Sequence, residues 1–127
     1  MIQLPARIAP FSIQTNLDAA KGYAELTQDF NPIHLDADFA RSTVFGRPIA
    51  HGTMALNLIV EALSRATKDA FYITELDIRF SAPTYIGQTL TGAASQEEGA
   101  LYRLEATSDD GRLVLTGTAR LAARVLA

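Results

Sequence analysis

Two periods divide the chain. Between residues 17 and 67 the apolar positions recur at helical spacing, and from residue 76 onward they alternate with polar ones. Leu17, Ala20, Tyr23, Ala24 and Thr27 fall on one face of a helix over Leu17–Thr27, and Asn16 stands where a side-chain oxygen caps the first free amides. A second, short helix is expected over Ala37–Ser42. Asp36 is its N-cap, and Asp38 lies in the first turn, where negative charge meets the positive end of the helix dipole. The most apolar stretch follows His51 and predicts a long helix to about Thr67. Its apolar residues, Met54, Ala55, Leu56, Leu58, Ile59, Val60, Ala62 and Leu63, take up nearly the whole circumference. A helix of that kind is a buried one.

The second half reads as strands. Leu76, Ile78 and Phe80 alternate with Asp77 and Arg79, the pattern of a half-buried strand. After the break at Ala82-Pro83 and Gly87, further strands are expected over Gln88–Gln96, Leu101–Thr107 and Leu113–Val125. Glu97-Glu98-Gly99 and Asp109-Asp110-Gly111 supply the turns, the latter a clear hairpin signal. Phe11–Thr15 adds a short N-terminal strand. Four strands in hairpin order plus that one, set against a single buried helix, make an α+β domain spanning residues 1–127. One sheet covers one face of the helix. A second copy of the chain would cover the rest, which predicts a homodimer or a dimer of dimers.

Composition narrows the function classes. The 127 residues are 48% hydrophobic and 20% charged, ordinary for a globular domain of this length. A net charge of −3 lacks the basic excess of a nucleic-acid binder. With no cysteine there is no disulfide, thiol nucleophile or thiolate metal site. Met1–Ser12 shows no secretory signal pattern, and the most apolar window, Met54–Leu63, is too short for a bilayer. The expected compartment is the cytoplasm. No glycine-rich phosphate loop follows a strand, so no redox cofactor is expected.

The candidate chemistry lies in Asp29-Phe30-Asn31-Pro32-Ile33-His34. Pro32 has no amide donor and biases Asn31 toward extended geometry, so the segment reads as a rigid turn presenting a carboxylate and an imidazole. His is the side chain whose ordinary pKa lies closest to neutrality, and both histidines of the chain, His34 and His51, fall in this region. An Asp or Asn beside Pro is ordinarily turn chemistry, and His51 ahead of the long helix reads as structural. Asp36 and Asp38 beside His34 suggest metal ligands, but capping explains both. Arg41, Arg47 and Arg79 have the forks that suit phosphates, although single arginines are usually solvated.

The motif Tyr23…Leu26-Thr27-Gln28-Asp29-Phe30-Asn31-Pro32-Ile33-His34, then Ala40, then Arg47-Pro48-Ile49-Ala50-His51-Gly52, resembles the MaoC-like hydratases. These form the (R)-specific enoyl-CoA hydratase family with the hot-dog fold. The order of elements agrees along essentially the whole chain. Gln28 stands where the family pattern commonly has Gly, and Val60 where some members carry an active-site Ser. The resemblance implies a curved antiparallel sheet wrapped around one long central helix, and reversible hydration of a trans-2-enoyl thioester to the (3R)-3-hydroxyacyl thioester. Asp29 and His34 would hold the water, and the Gly52 amide at the helix start would bind the oxyanion. Asn31, Arg47 and His51 would orient the pair or touch substrate. Coenzyme A enters only as part of the substrate, and no metal is implied. Competing classes are the same chemistry on acyl-carrier-protein thioesters, thioester hydrolysis as in other hot-dog proteins, and a non-catalytic acyl-thioester binder.

Overall fold

A computed structural model of the chain describes residues 4–124, so the expected end of the last strand at Val125 lies outside the described residues. Its centre is the long helix. Among the described residues five strands and four helices follow in chain order: β1 (Arg7–Gln14), α1 (Leu17–Thr27), α2 (Pro32–Leu35), α3 (Ala37–Arg41), α4 (Gly52–Thr67), β2 (Phe71–Phe80), β3 (Thr89–Glu98), β4 (Leu101–Ser108) and β5 (Leu113–Ala123). Helix α4 is about 24 Å long at 1.5 Å per residue and lies against one antiparallel sheet. Met54, Ala55, Leu58, Ile59, Ala62 and Leu63 are buried on it, and most of them meet Leu90, Leu104, Ala106, Leu115 and Leu121 of the sheet. Each fully buried Leu or Ile contributes roughly 1.5–3 kcal/mol relative to an exposed one.

Small residues let the helix close on the strands. A Cβ on Gly92 of β3 would stand 3.0 Å from the Ile59 side chain and 3.3 Å from its backbone nitrogen. Ala94, Ala106 and Ala119 line the same interface, with the fully buried Tyr102 among them. Burial raises the Tyr102 phenol above its ordinary value, and its hydroxyl donates to the Pro5 carbonyl.

The local helix readings hold. Asn16 accepts from the Ala19 amide at 2.7 Å, and Asp36 accepts from Asp38 and Phe39. Four readings need correction. The N-terminal strand starts at Arg7 rather than Phe11, because the irregular pairing with β3 between Ile8 and Phe11 breaks the alternation. Asn31 is extended as expected (φ −56°, ψ 127°), but the turn it opens is a one-turn helix: Pro32 sits at the first helical position, where its missing amide is harmless.

The third correction concerns strand order, which is β1-β3-β4-β5-β2 and not a run of hairpins. β2 pairs with β5 at the far edge, because the connection from Ser81 to Gln88 cannot make a tight turn. It runs instead beside the segment ahead of α4: Ala50 donates to Thr84 (2.7 Å), Ile86 donates to Pro48 (3.0 Å), and Ile49 bridges Tyr85.

The uncovered apolar surface is also not where the pattern placed it. On α4 only Leu56 and Val60, among its large apolar residues, are left half-buried. The larger exposure lies on edge strand β2, where Tyr72, Leu76 and Phe80 are 46%, 41% and 50% exposed.

Candidate active site

The site forms where α1 ends, α2 turns and α4 begins. Helix α1 stops at Gln28, which takes the left-handed conformation (φ 60°, ψ 29°), so that the Asp29 amide bonds back to Ala24. The chain reverses there and exposes the Asp29 carboxyl, whose side chain is 49% accessible. The Asn31 amide donates to Asp29 Oδ1 at 3.2 Å. The Asn31 side chain is used differently from the expectation: its Oδ1 accepts from the Ile33 amide and caps α2. Asn31 therefore orients the dyad through its backbone and through the helix it starts.

Helix α2 carries His34 and is clamped at two points to the segment before α4. Ile49 donates its amide to the Ile33 carbonyl (3.1 Å), and His34 Nδ1 meets the Ile49 carbonyl at 2.8 Å. A carbonyl only accepts, so the His34 proton sits on Nδ1 and Nε2 is left free. Nε2 faces Asp29 Oδ2 at 3.6 Å. That gap is too long for a good direct hydrogen bond, but one water can touch both atoms.

His51 lies deeper than a surface helix start. It is 3% exposed, its ring stacks on His34 (centroids 3.9 Å apart, planes 26° apart), and Nε2 meets the Asp29 carbonyl at 3.0 Å. Tyr23 packs on His51 with centroids 4.9 Å apart. The Tyr23 hydroxyl bonds Thr53 at 2.6 Å and accepts from Asn57 at 2.8 Å, tying α1 to the first turns of α4. In the sequence Tyr23 stands only on the apolar face of α1 and at the head of the motif, with no sign of these bonds. No pattern marks Thr53, Asn57 or the Ile49 carbonyl, since backbone acceptors and small polar helix positions carry no signature.

Gly52 is the first residue of α4. His51, its N-cap, makes no side-chain cap, so the first amides of the helix are left at the positive end of the dipole. Gly52 and His51 line a cavity of about 320 Å³ together with Phe45, Phe80, Thr84 and Val114. The side-chain walls are largely apolar, with Ser81, Thr84 and His51 the polar side chains among them, and the helix start adds free amides.

Arg47 does not join this group: its guanidinium stacks on the Tyr85 ring, 4.1 Å from the centroid. Arg41 pairs with Asp38 at 3.1 Å. Asp29, His34 and His51 bring ligand-type atoms within 4.8 Å of one another. Stacked imidazoles, however, send their in-plane lone pairs side by side rather than toward one tetrahedral centre, so the trio is a poor donor set for a metal.

A carboxylate and an imidazole facing each other, joined through His51 to an uncapped helix start that opens on a largely apolar cavity, on an antiparallel sheet packed against one helix, define a hydratase-type hot-dog domain. The MaoC-like domain family matches residues 6–116, and the chain belongs to that family. It is 32% identical over 105 residues to an (R)-specific enoyl-CoA hydratase of Aeromonas caviae, covering 76% of this chain and 78% of that protein. Against a protein of the same description from Rhodospirillum rubrum the identity is 31% over 105 residues, covering 76% and 72%. The solved structure of an (R)-hydratase from A. caviae involved in PHA biosynthesis superposes with a TM-score of 0.82 at 26% identity, covering 95% of this chain and 98% of that one. Among the described residues no helix is long and apolar enough to cross a membrane.

Proposed function

We propose that the chain is a hydro-lyase that adds water reversibly to trans-2-enoyl-CoA and gives (3R)-3-hydroxyacyl-CoA. The observation that carries this reading is the 3.6 Å approach of Asp29 Oδ2 and His34 Nε2, in a chain of this family. A water between these atoms gives up a proton to the pair as its oxygen bonds C3. The pair returns one proton to C2, so the double bond becomes single and one water is gained. Charge that builds on the thioester oxygen meets the Gly52 amide. One such donor, placed beforehand, is worth about 3 kcal/mol of barrier. The reaction is redox-neutral, and the only coenzyme it involves is the one the substrate carries.

The active unit in this reading is a homodimer in the cytoplasm, joined at the free edge of β2. Leu76 and Phe80 pair across from the buried Ala119 and Leu115 and so face the helix side of the sheet, yet both are left largely open. Phe80 also walls the cavity beside Gly52, 3.5 Å from where a Cβ would be, so a partner covering that edge would finish the cavity.

The deciding experiment offers trans-2-enoyl-CoA thioesters of several chain lengths. Loss of the conjugated double bond and release of free thiol are followed together, with Asp29→Asn alongside. Loss of conjugation without thiol, reduced by about 10²–10⁴-fold in Asp29→Asn, supports hydration by the pair. Thiol release would make the protein a thioesterase. Retention of acyl-CoA without turnover would make it a binder.

A further inference from the structure

The two histidines lie face to face, and their partners dictate opposite tautomers. His34 presents Nδ1 to the Ile49 carbonyl, so it carries the proton there. His51 presents Nε2 to the Asp29 carbonyl, so it carries the proton on Nε2. Its Nδ1 is buried with no hydrogen-bond partner among the described residues, and buried N–H donors are left orphaned less often than acceptors.

One ring thus does three things. It holds the backbone of Asp29, backs the imidazole of His34, and is itself backed by Tyr23, whose hydroxyl is fixed to Thr53 and Asn57. The groups that titrate around it are Tyr23 from α1, Asp29 from the turn and His34 from α2. The first turn of α4 and the Ser81–Thr84 segment add none.

We propose that His51 is a positioning residue for hydration. Its Nε2–H and its ring together set the distance between the Asp29 carboxyl and His34 Nε2, and the Tyr23–His51–His34 column carries that setting to the start of α4. This rests on the hydratase reading above. His51 also lines the cavity, but its Nε2–H is taken up by the Asp29 carbonyl and its ring packs on His34, so its loss should fall mainly on kcat. A misplacement of about 1 Å costs about 100-fold in rate, whereas KM should stay within a small factor.

The test uses the full chain and the variants His51→Gln, His51→Phe and His51→Leu. Gln keeps an N–H donor for the Asp29 carbonyl, Phe keeps the ring on His34, and Leu keeps neither. Expected is a fall in kcat of about 100-fold in His51→Leu with KM little changed, and recovery of about tenfold by Gln or by Phe. Long-range ¹H–¹⁵N spectra at alkaline pH, where imidazoles are neutral, supply the second readout. The chain has only two histidines, so the wild type should show one Nδ1–H and one Nε2–H ring, and His51→Gln should delete the latter.

Unchanged kcat in His51→Leu, or equal losses in all three variants with a parallel rise in KM, would overturn the proposal. Two rings of the same tautomer would also overturn it. If the wild type hydrates no enoyl-CoA, the hydratase reading fails by itself, and the tautomer pair still decides whether the column exists.

Discussion

One methyl group added at two glycines should move stability in opposite directions. Gly117 of β5 lies opposite Ile78 of β2, and a Cβ there would stand 2.2 Å from the Asp77 carbonyl oxygen and 2.9 Å from both Cα and Cγ2 of Ile78. Two of those three atoms are backbone, so no rotamer change relieves the clash. Strand β2 must draw away from β5 over a residue or two. Overpacking of this kind costs about 1–3 kcal/mol, and one or two ladder hydrogen bonds lost from the pair add about 1 kcal/mol each. For Gly117→Ala about 3 kcal/mol is therefore expected, a fall in Tm of about 10 °C for a domain of this size. Gly22, inside α1, has nothing within 4 Å of its would-be Cβ. There alanine only replaces the poorest ordinary helix former with the best, which raises stability by about 1 kcal/mol and Tm by about 3 °C. Thermal unfolding followed by far-UV circular dichroism measures both in one buffer. A Gly117→Ala protein melting within about 2 °C of wild type would refute the rigid-register reasoning. So would a Gly22→Ala protein that melts lower.

Gly52→Ala should leave Tm within a few degrees, since its Cβ would make only ordinary contact with Phe80 at 3.5 Å. If a thioester closes on the amide there, kcat/KM should nevertheless drop by about 10–100-fold, and enoyl-CoA kinetics beside a melting curve separates the two. Asp110 is held down to about 2 from the ordinary 3.8 by hydrogen bonds from Ser108, the Arg112 backbone and Gln88. A group depressed in the folded state stabilises above its unfolded pKa, so this contribution should be present at pH 5 and vanish between about pH 4 and about pH 2. Comparing Tm of wild type and Asp110→Asn across that window should show the gap closing as pH falls, and a gap that widens would contradict the assignment. At Gln28 (φ 60°) glycine relieves about 1 kcal/mol of left-handed strain. It also loosens the unfolded chain by about 0.4–1 kcal/mol, so Gln28→Gly should melt near wild type. A β-branched residue in that conformation is strained, so Gln28→Val should melt clearly lower.

What could be read from the residues alone follows from how local each signal is. The caps at Asn16 and Asp36, the span of α4 and the Asp109–Gly111 hairpin are set by neighbours a few positions away, and all appear in the structure. The approach of Asp29 and His34 was legible because one short motif holds both. The place of β2 was not. Alternation at Leu76, Ile78 and Phe80 says that a strand has one inner face, but it is silent about which strand lies beside it. The register with β5 depends instead on Gly117 admitting the β2 backbone and on the Ser81–Gln88 connection reaching Pro48 and Ala50. His51 was half legible. Its position before a helix invites a capping role, whereas the fold turns the ring inward and leaves the helix start uncapped.

That uncapped start belongs with two other departures from local rules. Gln28 adopts a conformation that favours glycine, immediately before Asp29. His51 buries a ring nitrogen with no partner among the described residues, immediately before Gly52. Neither feature alone points to function, because Lys68 and Asp69 also have positive φ at the far end of α4, where they only end a helix. Near Asp29 and Gly52 the departures coincide, and each has a consequence at the same few atoms. The left-handed Gln28 turns the chain so that Asp29 emerges. The unusual N-cap leaves amides free above the cavity. The inward ring fixes Asp29 and His34 against each other. Local costs persist where the surrounding structure over-determines them. Here the clamp of α2 on Ile49 and the Tyr23 link to Thr53 and Asn57 supply that determination. The precision of the site therefore comes from short connections held at one end of a rigid helix, with the sheet beneath keeping that end in place.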